Sequence, residues 1–410
     1  MSASLLAPFA GLRVAPDRAN EVLAPPYDVL TTAEARAAAD GRPESFLHVS
    51  RPEIDLPDET PAGAAALYDA AAARLARMIE AGVLVRDSAP RFYAWRMEAA
   101  GRAQTGLVAA ASLAAYEEGR VKRHELTRPT KVEDRARHIA ALGAQTGPLL
   151  LVHRPDSEIR RLLAEACAGP PLCHAVPDGV VTHTLWAIDG ADETHALTER
   201  FERIGALYIA DGHHRAGAAQ MAAQAMGAGT GEAAGRLLTV SFPADEVRIL
   251  GYHRIVRGLN GLTSGAFLRD VGKALRCEPA DAPVEPEAPG RFGMYLEGRW
   301  YRLAADGQAP AGGAVVNRLD VSLLARLVLG PVLGIVDPRL DARIDFVGGG
   351  RGVAALAAAV DGGEASVAFS LYPTSVDDLM AVADASAILP PKTTWFEPKL
   401  ADGLVSLVLS

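Results

Sequence analysis

The segment ALYIADGHHRAGAAQMAAQAM (206–226) constrains the fold more than any other part of the chain. The apolar run from Ile204 to Ala210 reads as a buried strand. Gly212 then breaks it, and an Ala-rich stretch of strong helix formers follows at once. A buried strand that turns within two residues into a helix is the building unit of a sheet covered by helices, which predicts an α/β fold with mixed sheets. The turn has a chemical consequence. The first turn of a helix leaves backbone N–H groups unpaired, and the macrodipole adds roughly half a positive charge there. Gly212 lets a ligand approach that backbone closely, and His213, His214 and Arg215 gather donors at the same end. Three potential cations opening a helix oppose its dipole, so the pattern predicts an anion such as a phosphate among them.

At 410 residues the chain exceeds one ordinary core, so two or three domains are expected. Apolar residues at 49% and charged residues at 22% exclude disorder. A net charge of −9 leaves no general field for a nucleic-acid backbone, so no nucleic-acid partner is expected. Cys167, Cys173 and Cys277 are too few for a disulfide framework and lack metal-ligand spacing. No signal peptide or membrane-length apolar run is apparent, so the expected place is the cytoplasm and no membrane partner is expected.

Between Ala64 and Val83, Leu67, Ala71, Leu75 and Ile79 recur on one helical stripe that ends at Gly82. RFYAWRM (91–97) and QTGLVAAASL (104–113) predict a hairpin turning at Ala99 to Arg102, and GMYLEGRWYRL predicts another at Glu297 and Gly298. DVSLLARLVLG reads as a helix capped by Asp320. The proline-rich, acidic stretch 278–291 reads as a linker between a domain over 1–277 and a C-terminal α/β portion over 292–410 that completes the site.

A second cluster is VKRHELTRPTK, in which Lys122, Arg123, Arg128 and Lys131 surround His124 and Glu125. Phosphoryl transfer needs cations around the phosphoryl oxygens and one group to take the hydroxyl proton. Glu125 is the expected base, with His124 beside it and Asp211 as the competing base or Mg2+ ligand. Two C-terminal segments are further candidates. Gly348, Gly349, Gly350 and Arg351 in RIDFVGGGRG suggest a backbone nest for an anion, and Lys392, Trp395, Glu397 and Lys399 in PPKTTWFEPKL combine an aromatic plate with charges. Walker A, GxSxG, HExxH and kinase HRD motifs are missing, and no protein-bound metal is expected.

The DGHHR turn resembles the phosphate-binding box of the ParB/sulfiredoxin-like superfamily. APPYDVL, SFLHVSRPEIDLP, VKRHELTRP, YIADGHHR, LGIVDPRLDARIDFVGG and PPKTTWFEPKL together resemble the bacterial family known as domain of unknown function 1015. The resemblance implies a ParB/sulfiredoxin-like core. Sulfiredoxins carry Cys where His213 stands here, which argues against sulfinic reduction, and the helix-turn-helix and basic surface of ParB partition proteins are not apparent. The member type that fits is the archaeal free-serine kinase. That implies ATP- or ADP-dependent phosphotransfer with Mg2+ to a small hydroxyl metabolite, pointing toward serine and phosphoserine metabolism. The alternatives are hydrolysis of a small phosphate ester and a ParB-like nucleotide-binding protein without turnover; a homo-oligomer fits either.

Overall fold

A computed structural model describes residues 4–229, 231–308 and 313–409 of the chain. It divides into two compact units, residues 1–247 with 398–410, and residues 248–397. Both combine sheets with covering helices, so the class is α/β.

The first unit is built on a nine-stranded mixed sheet. Its order runs Val121–Lys122, Leu207–Asp211, Leu149–His153, Arg236–Pro243, Arg102–Ser112, Phe92–Ala99, Thr182–Ile188, Cys173–Ala175, with Leu6–Ala7 pairing on Arg102–Ser112. The predicted hairpin forms its middle, with Ala99 paired to Arg102. Ala100 and Gly101 both take positive φ, 50° and 72°, the two-residue turn whose twist matches that of its strands. Phe92, Tyr93, Trp95, Phe201 and Phe242 are fully buried in this unit. The predicted amphipathic helix is Ala65–Glu80, ending two residues before Gly82. Met78, not Ile79, closes its buried stripe, and Ile79 is 43% exposed.

The expected strand from Ile204 begins later, at Leu207, because Gly205 adopts φ 76° and caps the preceding helix Ala191–Ile204. Helix His213–Met226 then starts directly after Gly212. Its Ala216, Ala218, Ala219, Ala222 and Ala223 are buried, and Gly217 lies against Val132 of helix Pro129–Leu142. Small side chains on two sides let this helix lie close to both the sheet and its neighbouring helix. Pro129 stands at the first position of that neighbour, where its missing N–H costs nothing. Residues 398–410 return to this unit, where strand Val405–Val408 pairs with Leu12–Val14 and with Ala144–Gln145.

The second unit is a six-stranded antiparallel sheet in the order Arg276–Ala280, Arg299–Ala304, Arg291–Leu296, Val367–Leu371, Tyr252–Val256, Ile344–Gly348. One core contains Phe267, Val271, Leu324 and Val382, and the other contains Val353 and Leu356. The proline-rich stretch read as a linker lies within this unit. Pro279 sits in an edge strand, where a residue without an N–H is tolerated. The hairpin at Glu297 and Gly298 forms as expected. Asp320 is the first residue of its helix, not the cap, and its carboxylate accepts instead from the Gly290 N–H at 2.7 Å.

Four buried histidines in the first unit make stability pH-dependent. Burial pushes His124, His138, His153 and His183 from the ordinary value of 6.5 down to about 4. Each stays neutral when folded, whereas the unfolded chain protonates it below 6.5. Their contribution is therefore complete above that pH and is lost as pH falls from about 6.5 toward 4. Asp402, which burial pushes up to about 7, acts in the opposite sense, but it is one group against these four and His213, which burial also pushes well below its ordinary value. The melting temperature should fall steadily across that interval. A constant melting temperature there would contradict the assignment of neutral buried imidazoles.

Candidate active site

Strands Val121–Lys122 and Leu207–Asp211 run parallel, with Val121 opposite Leu207 and Lys122 opposite Tyr208. Their C-terminal ends therefore open on the same edge of the sheet, where ligands bind in α/β folds. From one end springs the loop 123–128; from the other, helix His213–Met226. A register shift between Ile209 and Asp211 re-aims the last residues of the strand. Gly212 then takes φ 101°, a conformation that a side chain strains, and supplies no side-chain cap to the helix.

The loop is fastened to this helix start by its own backbone. The His124 N–H donates to His213 Nε2 at 3.4 Å, and the Arg128 N–H donates to His214 Nε2 at 3.0 Å. Because Nε2 of His213 accepts, the proton of its neutral ring lies on Nδ1. That atom faces Glu125 Oε2 at 3.8 Å. The His124 ring packs edge-on against His213 with centroids 4.5 Å apart. Burial and then the neighbouring His124 push His213 well below its ordinary value, so it is neutral. His213 is thus one neighbour of Glu125. His124, expected beside Glu125, is instead 1% exposed, and its Nδ1 has no hydrogen-bond partner.

Asp211 and Glu125 differ in kind. Asp211 Oδ2 lies 3.2 Å from Lys399 Nζ and 3.6 Å from Arg215 Nη2. Burial alone would raise its carboxyl, but Lys399 and then Arg215 overcome that and hold it far below the usual carboxylate range. A carboxylate so held is a poor proton acceptor. Glu125, with its side chain 37% exposed, is open to a substrate.

The Arg215 guanidinium lies against Gly212 at the helix start, where a Cβ on Gly212 would stand 3.0 Å from Arg215 Nε, but little of it is exposed. Arg215 is 8% exposed, donates through Nη1 to the Pro148 carbonyl, and pairs with Asp211. Lys122 and Arg123 lie over the rings of Tyr208 and Tyr116 at 5.8 and 5.9 Å, and Arg123 and Arg128 are exposed. Among the described residues no group of three or more His, Cys, Asp or Glu is arranged to hold a metal ion.

The secondary candidates separate. Lys399 belongs to the first unit and binds Asp211, a link that the sequence did not reveal. The others lie in the second unit. Trp395 packs edge-on against Tyr252 with centroids 5.4 Å apart and donates to Glu397 at 2.8 Å. Lys392 Nζ sits 5.6 Å from the Tyr252 ring. Gly348 leaves room for the Trp395 indole, and Gly349 for Leu250 and Gly251, which accounts for two of the glycines by packing. Arg351 is exposed at the end of a three-residue turn.

Sequence reasoning missed Tyr27, Ser50, Arg135 and Asp402, which gather behind Arg215. Tyr27 and Ser50 fall within APPYDVL and SFLHVSRPEIDLP, segments that carry the family resemblance but show no chemical motif.

Among solved structures, the chain is similar to a conserved hypothetical protein from Pyrococcus furiosus, with 15% identity, 72% of this chain and 93% of that one covered, and a TM-score of 0.36. It is similar to a mutant free serine kinase in complex with ADP, with 14% identity, coverage of 70% and 87%, and a TM-score of 0.36. A C-terminally truncated SbnI from Staphylococcus aureus matches at 12% identity, coverage of 72% and 85%, and the same TM-score. Likenesses this distant carry no argument about activity. No curated protein matches the chain. Residues 6–322 match the model of a family described as Protein of unknown function (DUF1015). The chain belongs to that family.

Proposed function

We propose that this DUF1015 protein is a nucleotide-dependent phosphotransferase acting on a small hydroxyl metabolite. One observation carries the reading: a cationic loop bearing a solvent-reachable carboxylate is fastened, by two backbone hydrogen bonds, to a helix start with no side-chain cap. Phosphoryl transfer is mostly positioning and charge neutralisation, and these are the parts it needs.

The backbone N–H groups opening helix His213–Met226 would receive a phosphate, with Lys122, Arg123 and Arg128 around it. ATP or ADP with Mg2+ would supply the transferable group. Glu125 takes the proton of the attacking hydroxyl. His213, neutral with its proton on Nδ1, orients the Glu125 carboxylate, while Asp211 anchors Lys399 and Arg215. A ParB/sulfiredoxin-like descent of the first unit agrees with this use of its strand-glycine-helix turn.

Incubation of the full chain with Mg2+, ATP or ADP, and a panel of hydroxyl metabolites, followed by phosphorus NMR, tests the proposal. Appearance of a new phosphate ester is the expected result. Release of inorganic phosphate from phosphate esters without a nucleotide would replace the reading with a phosphatase. Nucleotide binding without any turnover would replace it with a ParB-like binding protein.

A further inference from the structure

At the opposite end of the nine-stranded sheet from Asp211 lies a second cavity, of about 150 Å³, lined by residues of the first unit. Strand Leu149–His153 sets the separation. Its Leu150 pairs with Asp211, whereas His153 stands at the other end of the strand, beside Pro243. A space of this volume takes a molecule about the size of benzene, or about ten waters at roughly 10 to 15 Å³ per position. One side of it is apolar, formed by the buried Ile159, Leu163 and Pro243.

The carboxylates of the other side are already held. Asp156 accepts from the Glu158 and Ile159 N–H groups and from Arg200 at 2.7 Å. Glu246 accepts from the Thr105 N–H at 2.8 Å and faces Arg160 at 3.6 Å, and Arg160 donates in turn to both oxygens of Asp245. Arg96 is the exception among these charges. It donates through Nε to Thr105 Oγ1 at 3.2 Å and lies over the Trp186 ring at 5.3 Å, and among the described residues no carboxylate pairs with it.

A second donor sits at the floor. His153 is 0% exposed, and its Nε2 has no hydrogen-bond partner. Burial keeps the ring neutral, so it carries one proton. Its Nδ1 lies 2.9 Å from Ser241 Oγ, a buried hydroxyl with no other partner among the described residues. A proton on Nδ1 would leave that hydroxyl with no acceptor for its own hydrogen. Ser241 therefore donates to Nδ1, and the proton of His153 lies on Nε2.

We infer that this cavity is a binding site for a small apolar carboxylate, its carboxylate on Arg96 and the His153 N–H and its hydrocarbon against Ile159, Leu163 and Pro243. The fork of a guanidinium matches the two oxygens of a carboxylate. Water would satisfy the two donors but leave the apolar side wet, whereas a carboxylate bearing a ring or a branched chain answers both sides. A cation would oppose Arg96, and a purely apolar molecule would leave the buried His153 N–H unpaired. The site is separate from that of phosphotransfer and does not depend on that reading.

Calorimetric titration of the full chain with benzoate, 3-methylbutanoate, benzyl alcohol and benzylamine tests it. The two carboxylates should bind, and the alcohol and the amine should bind about tenfold more weakly or worse, the scale of one lost charged hydrogen bond. Arg96→Gln should lose about tenfold in benzoate affinity with an unfolding transition like that of the parent. Ala164→Leu, which narrows the cavity from its helix, should weaken binding as well. In the parent, the His153 ring nitrogen resonances should move as benzoate is added, a readout that stands even where a variant does not fold. No carboxylate binding by the parent, which would leave the cavity to water, equal binding of benzyl alcohol, full affinity in a folded Arg96→Gln protein, or His153 resonances unmoved by saturating benzoate would each overturn the inference.

Discussion

Glu125→Gln is expected to lower kcat by about 10²- to 10⁴-fold while nucleotide affinity stays near that of the parent, the range typical of a lost general base. Gln keeps the shape of the side chain and its reach to His213 Nδ1, 3.8 Å away, but cannot take a proton from a hydroxyl. The competing assignment is Asp211. Its carboxylate is pinned by Lys399 at 3.2 Å and Arg215 at 3.6 Å, which lowers its basicity and gives it a positioning task. Asp211→Asn should therefore release Lys399 and raise KM more than it lowers kcat. Steady-state kinetics of the two variants decide between them. If Glu125→Gln keeps most of the turnover and Asp211→Asn loses it, the base is Asp211 and the loop only clamps the substrate.

Arg215→Ala is expected to destabilise the protein by roughly 3 kcal/mol, the lower end for breaking one side of a buried ion pair. For a unit of this size that corresponds to a fall in Tm of roughly 10 °C. The sequence places Arg215 at the mouth of an anion site, where its loss would touch binding alone. The structure buries it, with the Pro148 carbonyl and Asp211 as its partners. Removing the side chain leaves that carbonyl without its donor and Asp211 with Lys399 alone. Arg215→Lys retains the charge without the planar fork and should fall between the two. Thermal unfolding of both variants is the measurement, and an Arg215→Ala protein that melts with the parent would refute the structural role.

The contrast at Arg215 shows where sequence reasoning stopped. The hairpin turning at Ala100 and Gly101, the helix Ala65–Glu80 and the strand-glycine-helix passage at Gly212 were legible because each is encoded within a few residues. Two positive φ angles, a helical stripe and one permissive glycine express local preferences that tertiary packing does not override here. The phosphotransfer candidates were legible as types in the same way, since a carboxylate among cations stands out in a linear sequence.

Which side chain meets which was decided elsewhere. The parallel pairing of Val121–Lys122 with Leu207–Asp211 is a choice of strand order, and it alone sets Glu125 beside His213 and leaves His124 buried. Edge position, not composition, made a strand residue of Pro279. The return of residues 398–410 to the first unit delivers Lys399 to Asp211 and Asp402 to the cluster behind Arg215, across nearly two hundred residues of chain. The sequence by itself determined the elements, because dihedral preference and hydrophobic period act over one turn or one hairpin. Only the tertiary structure decided the partners, because charge pairing and burial depend on distances in space that the order of residues along the chain does not contain.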